Sequence, residues 1–318
     1  MYIEEAGISA FAPASVANVA VGFDILGFAF DAVGDFVTLK KINSPGKIEI
    51  ESITGMANLP YDEKKNTATI GLLKMLQEEQ LSFGFKVHIH KGIPLSSGMG
   101  GSAASSVAAV VAANAFLPTP LSRSKLLKYA LEGESAISGS FHADNVAPCL
   151  FGGLTLIRST DDPIEVISIP PPKVYCVLVH PDCQVETKYA RSILRPNITL
   201  KQSVQQSAHL GSFIAGCFKQ DLELIRRSCH DFIIEEQRAH LVPGFHDVKN
   251  AALEVNALAC SLSGSGPTIF ALAENQQSAL LIQEAMLLAF KKNGISKLDS
   301  WISPMSTQGA RIMTMGPL

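Results

Sequence analysis

The sequence predicts an α+β protein of two domains, and three observations carry that reading. The chain has 318 residues, about two domains at roughly 150 residues each. Its first third alternates in the manner of strands, whereas later stretches repeat apolar residues at helical spacing. The clearest linker is Pro170-Pro171-Pro172, which can join neither a central strand nor a helix interior. The predicted domains are therefore residues 1–170 and 171–318.

The elements follow in order. Val37-Thr38-Leu39, Lys47 to Glu51 and Phe85 to His90 alternate, bounded by Gly or Pro, and predict strands. Asn66 to Gln80 places Ile70, Leu73, Leu76 and Gln77 at helical spacing. A Gly-rich turn then runs into Ser102 to Asn114, whose Ala and Val content predicts a buried helix. Ser124 to Ser135 is a further helix after the Leu117-Pro118-Thr119-Pro120 break. Beyond the prolines, Val174 to His180 reads as a strand. Lys188 to Leu194, Leu200 to Phe218 and Leu222 to Arg238 read as helices. Ser261 to Leu272 reads as a Gly-rich turn followed by an apolar strand, and Ser278 to Asn293 as a last helix. No repeat or low-complexity tract stands out.

Composition excludes several classes. Hydrophobic residues make up 47% and charged residues 17%, with a mean hydropathy of +0.22, which is apolar enough for a large core and excludes general disorder. The longest nearly apolar stretch, Val107 to Leu117, is interrupted by Asn114 and falls short of the ~20 residues of a membrane span. Lys plus Arg total 26 against 29 Asp plus Glu, a net charge of -3. That balance recruits neither nucleic acid nor an anionic membrane. Met1 to Ala6 has no basic region and no apolar region, so no secretion signal is expected there, and the single Ser before Ala10 argues against a transit peptide. Cys149, Cys176, Cys183, Cys217, Cys229 and Cys260 form no C-x-x-C pair. They are expected to be reduced thiols, in a cytoplasmic protein.

The strongest local feature is Pro94-Leu95-Ser96-Ser97-Gly98-Met99-Gly100-Gly101-Ser102-Ala103-Ala104-Ser105. A strand ends, three glycines permit a tight turn, and a helix begins whose free N–H groups and positive dipole end favour phosphate. Such turns also occur without ligands. A Walker A loop is excluded, because no Lys lies between Gly92 and Lys125. Gly98-Met99-Gly100-Gly101-Ser102-Ala103 fits the dinucleotide pattern, but the acid expected about 20 residues on is missing, Glu132 being the first after the loop.

Two further segments combine with this loop: Ala12-Pro13-Ala14-Ser15-Val16-Ala17-Asn18 running on to Gly22-Phe23-Asp24, and Ser261-Leu262-Ser263-Gly264-Ser265-Gly266-Pro267-Thr268. With three such motifs in this order, from residue 12 to residue 268, the chain resembles the GHMP small-molecule kinases over nearly its whole length. In detail it resembles their homoserine-phosphorylating family, through Ser15 to Asn18 with Gly22 to Asp24, His142-Ala143-Asp144-Asn145-Val146-Ala147-Pro148, and Glu236-Gln237-Arg238 with Leu241 to Phe245. The resemblance implies a two-domain GHMP kinase fold: an ATP-binding S5-domain-2-like first domain with a left-handed β-α-β crossover, and a ferredoxin-like second domain. It further implies ATP-dependent phosphorylation of the hydroxyl of L-homoserine, on the path to threonine, in a homodimer.

The same resemblance distributes the roles. Pro94 to Ala104 would hold ATP, with Asn66 lining the adenine pocket. Ser102 and Glu134 would be the Mg²⁺ ligands, hard oxygen donors suited to that ion. Arg191 and Arg238 would grip the substrate carboxylate, for which the guanidinium fork is suited, and Thr187, four residues before Arg191, shares its face if the segment is helical. Asp144 would pair with the ammonium. Asn18 and Asp24 would hold the reacting hydroxyl, with Asn145 close by and Gly264 at the substrate edge. Each residue also has a plain role: Ser102 and Asn66 as helix caps, Glu134 as a solvated carboxylate, the arginines in surface ion pairs.

Relatives place a candidate base Asp where the resemblance puts Asn145, and an amide cannot serve as a base. Catalysis is therefore expected by alignment and Mg²⁺ neutralisation, with Asp24 assisting. Ser96, Met99 and Gly101 depart from the family's usual Gly, Leu and Ser; the last change removes a hydroxyl and keeps the backbone donors. The eight histidines are spread out, and His88 and His90, on one strand face, are expected at the surface. The alternatives are another GHMP kinase with a different alcohol acceptor, a non-catalytic sensor on the same fold, and an NAD-dependent oxidoreductase.

Overall fold

The computed structural model describes residues 7–56, 59–138 and 141–313; the expectation about Met1 to Ala6 lies outside them. The chain opens with β1 (Ile8–Ala17) and β2 (Leu26–Ile42). Their antiparallel register shifts between Pro13 and Ala14, where β2 bends at Asp31 to Val33. That bend lets β2 serve two partners on its other edge. Leu26–Phe28 pairs with β5 (Leu154–Ser159), and Phe36–Ile42 pairs with β4 (Gly84–Lys91). The 17-residue length of β2 makes it the spine of the first sheet.

β3 (Ile48–Gly55) lies parallel to β4, joined through α1 (Thr67–Glu78). After β4 comes the Gly-rich loop and α2 (Gly101–Asn114), then α3 (Arg123–Ser138) and α4 (Ala143–Phe151). α2 is buried almost all round, which its small Ala, Val and Ser side chains permit. Neighbours approach closely through glycines. A Cβ on Gly71 of α1 would lie 2.5 Å from the Tyr129 carbonyl oxygen of α3, and one on Gly133 of α3 would lie 2.4 Å from Ser106 Oγ of α2. β6 (Glu165–Ile169) extends the sheet beyond β5, and β11 (Arg311–Met313) returns from the far end of the chain to pair with β1.

The chain leaves this seven-stranded sheet after Ile169 and enters a four-stranded one at β7 (Tyr175–Pro181). α5 (Thr187–Ser192), α6 (Leu200–Lys219), α7 (Leu222–Ser228), α8 (Glu235–Arg238) and α9 (Phe245–Glu254) follow, then β8 (Ala259–Leu262), β9 (Ile269–Ala273), α10 (Gln276–Lys292) and β10 (Leu298–Pro304). The strand order β10-β7-β9-β8, antiparallel throughout, is that of the split β-α-β ferredoxin-like arrangement. Among the described residues no helix is long and apolar enough to cross a membrane. All six cysteines are free, five of them buried.

One strand carries no sequence signal, and one sequence expectation is overturned. The run Ile8–Ala17, whose second half belongs to the motif that starts at Ala12, is a strand whose last eight residues are all buried, so it shows none of the alternation that marks a half-exposed strand. Leu222 to Arg238 is not one helix. The Asp231 carboxylate accepts the N–H groups of Ile233, Ile234 and Glu235 at 2.8, 2.8 and 3.0 Å. A short acidic side chain thereby caps a new turn and breaks the helical ladder.

Candidate active site

The three motifs meet in space. Gly98 sits at φ +77°, and a Cβ there would lie 2.3 Å from the Ser263 carbonyl oxygen. Ser263 Oγ donates to Gly98 O at 2.8 Å and Thr268 N to Ser97 O at 3.1 Å, so the C-terminal Gly loop backs the central one. The N-terminal motif closes the triangle: Ser15 N donates to Met99 O at 3.1 Å, and Asn18 Nδ2 to Gly264 O at 2.9 Å. Gly100 caps α2 in the left-handed conformation, where a Cβ would come within 2.0 Å of Ser15 Oγ. α2 has no side-chain cap and no acid in its first turn. Its leading N–H groups are left for an anion.

Around this junction lies a cleft with about 720 Å³ of empty space. It gathers all the predicted site residues except Asn66, Met99, Ala103 and Ala104: Asn18, Asp24, Pro94 to Gly98, Gly100 to Ser102, Glu134, Asp144, Asn145, Thr187, Arg191, Arg238 and Gly264 all line it. Met99, Ala103 and Ala104 are buried in the core behind it. Asn66 is the N-cap of α1: its Oδ1 accepts from Ala68 N at 3.1 Å and its Nδ2 donates to Pro60 O at 3.0 Å, so both ends of the amide are engaged locally. Asn66→Ala is expected to lower stability by about 1 kcal/mol, the usual worth of an N-cap. Urea unfolding checks this, with the KM for ATP changing little; a large rise in that KM with unchanged stability would give Asn66 the adenine role instead.

Backbone strain concentrates at the turn from β1 to β2. Asn18, Val19, Ala20 and Asp24 all have positive φ, from 47° to 69°, a conformation that a β-branched residue such as Val19 rarely adopts. The turn is pinned by Asn18 itself, whose Oδ1 accepts from Asp24 N at 3.0 Å and whose carbonyl accepts from Gly22 N at 2.8 Å.

Charges face one another across the cleft. Arg191 of α5 grips Asp24 with both terminal nitrogens, at 2.9 and 2.7 Å. Arg238 of α8 is 3% exposed. It donates only to carbonyls, Ala190 O at 3.0 Å and Gly264 O at 3.4 Å, and among the described residues it has no carboxylate partner. Burial, with Arg191 beside it, lowers its pKa to about 10, so it is a cation at neutral pH. Both guanidinium groups lie over the Phe23 ring, at 5.5 and 5.2 Å. Asp144 is buried, and burial together with the Asp24 charge raises its pKa to about 7. His142 Nδ1 lies 3.2 Å from Glu134 Oε1. Burial opposes the imidazolium, but the hydrogen bond and charge of Glu134 outweigh it and raise the His142 pKa. Asn145 Oδ1 accepts from Ser15 Oγ at 2.8 Å.

Phe23 and His142 were missed as site residues, although both stand inside segments already singled out. Phe23 reads as core in an apolar run, and His142 as one of eight dispersed histidines; nothing in the spacing tells that α3 delivers Glu134 to it. His88 is only half-exposed, held between Ser52 and Glu51, while His90 is exposed.

A phosphate-type loop opening a buried helix, backed by a second Gly loop and faced by arginines, is the site of a small-molecule phosphotransferase. Residues 66–153 match the model of the GHMP kinases N terminal domain and residues 213–292 that of the GHMP kinases C terminal. A homoserine kinase of Xylella fastidiosa is 46% identical over 305 residues, 96% of this chain and 93% of its own length. One of Chloroherpeton thalassium is 44% identical over 317 residues, 96% and 99% of the two chains. The crystal structure of homoserine kinase from Cytophaga hutchinsonii superposes with a TM-score of 0.93 at 44% identity, covering 98% of this chain and all of that one. An L. major mevalonate kinase shares the fold at a TM-score of 0.70 and 17% identity. Within the GHMP kinases, then, the chain belongs to the homoserine kinase family.

Proposed function

We propose that the enzyme transfers the terminal phosphoryl group of ATP to the side-chain hydroxyl of L-homoserine, giving O-phospho-L-homoserine for threonine biosynthesis. The observation that carries this reading is Arg238, a buried guanidinium without a carboxylate partner among the described residues, in one cleft with a helix N-terminus left open for phosphate. Such a cation favours an acceptor that brings its own carboxylate. The test is incubation with MgATP and L-homoserine and identification of the product by phosphorus NMR and mass; a phosphate ester of homoserine is expected, and hydrolysis of ATP alone would contradict the reading.

The ATP phosphates would lie on the N–H groups of Gly100, Gly101 and Ser102, with Pro94 to Ala104 as the loop that shapes their seat. Mg²⁺ would sit between the Ser102 hydroxyl and Glu134. Both line the cleft and both offer hard oxygens. Two protein ligands suit an ion that keeps phosphate oxygens and waters as its other partners, and among the described residues no set of three acidic, His or Cys groups forms a separate cage. When bound, the ion would neutralise charge on the transferring phosphoryl group. The residues do the rest. Arg238 and Arg191, with Thr187 and Gly264 at their edge, would receive the substrate carboxylate, and Asp144 the ammonium. Asn18, Asp24 and Asn145 would align the hydroxyl with the phosphorus. Asn145 holds no proton acceptor of base strength, so Asp24 is the group that would assist proton departure.

The Asp144 carboxyl gives this reading a pH signature. Its pKa stands at about 7 in the folded protein against an ordinary 3.8. Its contribution to stability is therefore full below the unfolded value and is lost as the pH rises through about 7. Binding runs the other way, because only the carboxylate pairs with an ammonium. The KM for L-homoserine is expected to fall as the pH rises through about 7 and then level off, and Asp144→Asn is expected to flatten that profile while raising the KM throughout.

The same reading takes residues 1–170 as the nucleotide-binding domain and 171–318 as the second domain. It also takes the enzyme as a cytoplasmic homodimer. The free thiols suit a reducing compartment, and Leu200 and Val204 of α6, exposed at 81% and 62%, offer an apolar strip for a second copy.

A further inference from the structure

Beneath the phosphate loop lies a buried ion pair that the reaction as described does not use. Lys91, the last residue of β4, is 2% exposed, and Asp35, midway along β2, is 0% exposed. Their ammonium and carboxylate are in direct contact. Lys91 Nζ also donates to Gly101 O and to Ser105 Oγ, each at 2.8 Å, and Ser105 Oγ donates in turn to Asp35 Oδ2 at 2.6 Å. The other carboxylate oxygen, Oδ1, accepts the N–H groups of Gly92 at 3.1 Å and Ile93 at 3.2 Å.

The partners are the telling part. Gly92 and Ile93 are where the chain leaves β4 to begin the loop; Gly101 and Ser105 are where α2 begins after it. One ion pair thus ties the two ends of the loop together. Its three ammonium donors all have acceptors, so nothing in the cluster is left unsatisfied. Stability is a poor reason to keep it, because burying two charges is expensive and an apolar pair of the same shape is generally as stable.

We infer that Lys91 and Asp35 are positioning residues for ATP. The pair fixes the spacing between the start of the loop and the first turn of α2, so that the N–H groups of Gly100 to Ser102 keep a common aim. Neither side chain lines the cleft, so the effect passes through the loop and not through contact with nucleotide. The inference rests on the proposed ATP site and deepens it.

Calorimetric titration with MgADP tests it, with thermal midpoints and the KM for L-homoserine measured alongside. In the neutral double variant Asp35→Leu with Lys91→Met, the Kd for ADP is expected to rise about tenfold or more from the lost charge-assisted bonds, with the KM for L-homoserine little changed and the thermal midpoint lowered, because the Gly92 and Ile93 N–H groups lose their acceptor. A pair that serves only the fold would leave ADP affinity in that double variant at the parent's value, which overturns the inference. Ser105→Ala, a small change in a well-buried helix, covers the case in which the double variant does not fold. It removes both hydrogen bonds of that hydroxyl, from Lys91 and to Asp35, and is expected to weaken ADP about threefold or more; unchanged ADP affinity there overturns the inference as well. A parent that fails to bind ADP removes the ATP site and this inference together, whereas a parent that binds while the variants bind equally removes the inference alone.

Discussion

Arg238→Met raises the KM for L-homoserine on the order of 10²-fold, as expected when one partner of a buried, hydrogen-bonded charge pair is truncated. It does so without lowering the thermal midpoint. The second half of that result separates binding from folding. Arg238 is buried against the Phe23 ring, yet among the described residues its hydrogen bonds go to the carbonyls of Ala190 and Gly264 and to no carboxylate. An unneutralised buried cation is a cost to the empty protein, and burial has already lowered its pKa to about 10. Removing it relieves that cost, while Met keeps much of the side chain's apolar bulk against Phe23. The KM for ATP is expected to stay near the parent's. A large drop in thermal midpoint with an unchanged KM for homoserine would make Arg238 a structural residue and remove the carboxylate site.

Asp24→Asn lowers kcat by about 10²-fold or more, within the ~10²–10⁴ range of general acid–base assistance. In the structure Asp24 is held in the Arg191 fork and at a positive φ of 63°, so two roles must be told apart. If Asp24 only orients Arg191, then Arg191→Met should reproduce the loss, chiefly in KM for homoserine. If Asp24 also assists the departing proton, Asp24→Asn should cost far more in kcat than Arg191→Met does. Steady-state kinetics of both variants over a range of pH decide it. A pH-independent loss under about tenfold in Asp24→Asn would leave catalysis to alignment and charge neutralisation alone.

Much of this site was legible because its signals are local. Three glycines between a strand and an Ala-rich run announce a strand-to-helix turn whatever the rest of the chain does, and Gly98 and Gly100 are indeed where no Cβ fits. Thr187 and Arg191, one helical turn apart, share a short helix that presents both to the cleft. What spacing could not supply was pairing across the chain. Asp24 and Arg191 are 167 positions apart, and their fork depends on how α5 is set against the β1–β2 turn. Glu134 lies on α3 and His142 caps the start of α4, and Phe23 reads as core until two guanidinium groups stand over it.

The fold followed the same rule. Strands that alternate, such as Phe85 to His90, were visible, whereas the fully buried end of β1 carried no alternation to detect. The break at Asp231 turns on one side chain collecting three backbone N–H groups, a choice that apolar periodicity does not register. The resemblance to the GHMP kinases supplied the order of the motifs. It did not supply the Arg191–Asp24 fork or the Lys91–Asp35 pair, which are properties of side chains meeting in three dimensions.

The central claim is that the cleft phosphorylates a hydroxyl on a small amino acid that carries its own carboxylate. ADP release from MgATP, measured side by side with L-homoserine, mevalonate and 3-amino-1-propanol, tests it most directly. The account predicts rapid release with L-homoserine and little with the other two, because mevalonate lacks the ammonium for Asp144 and aminopropanol lacks the carboxylate for Arg238. Turnover with mevalonate, or equal turnover with aminopropanol, would contradict it.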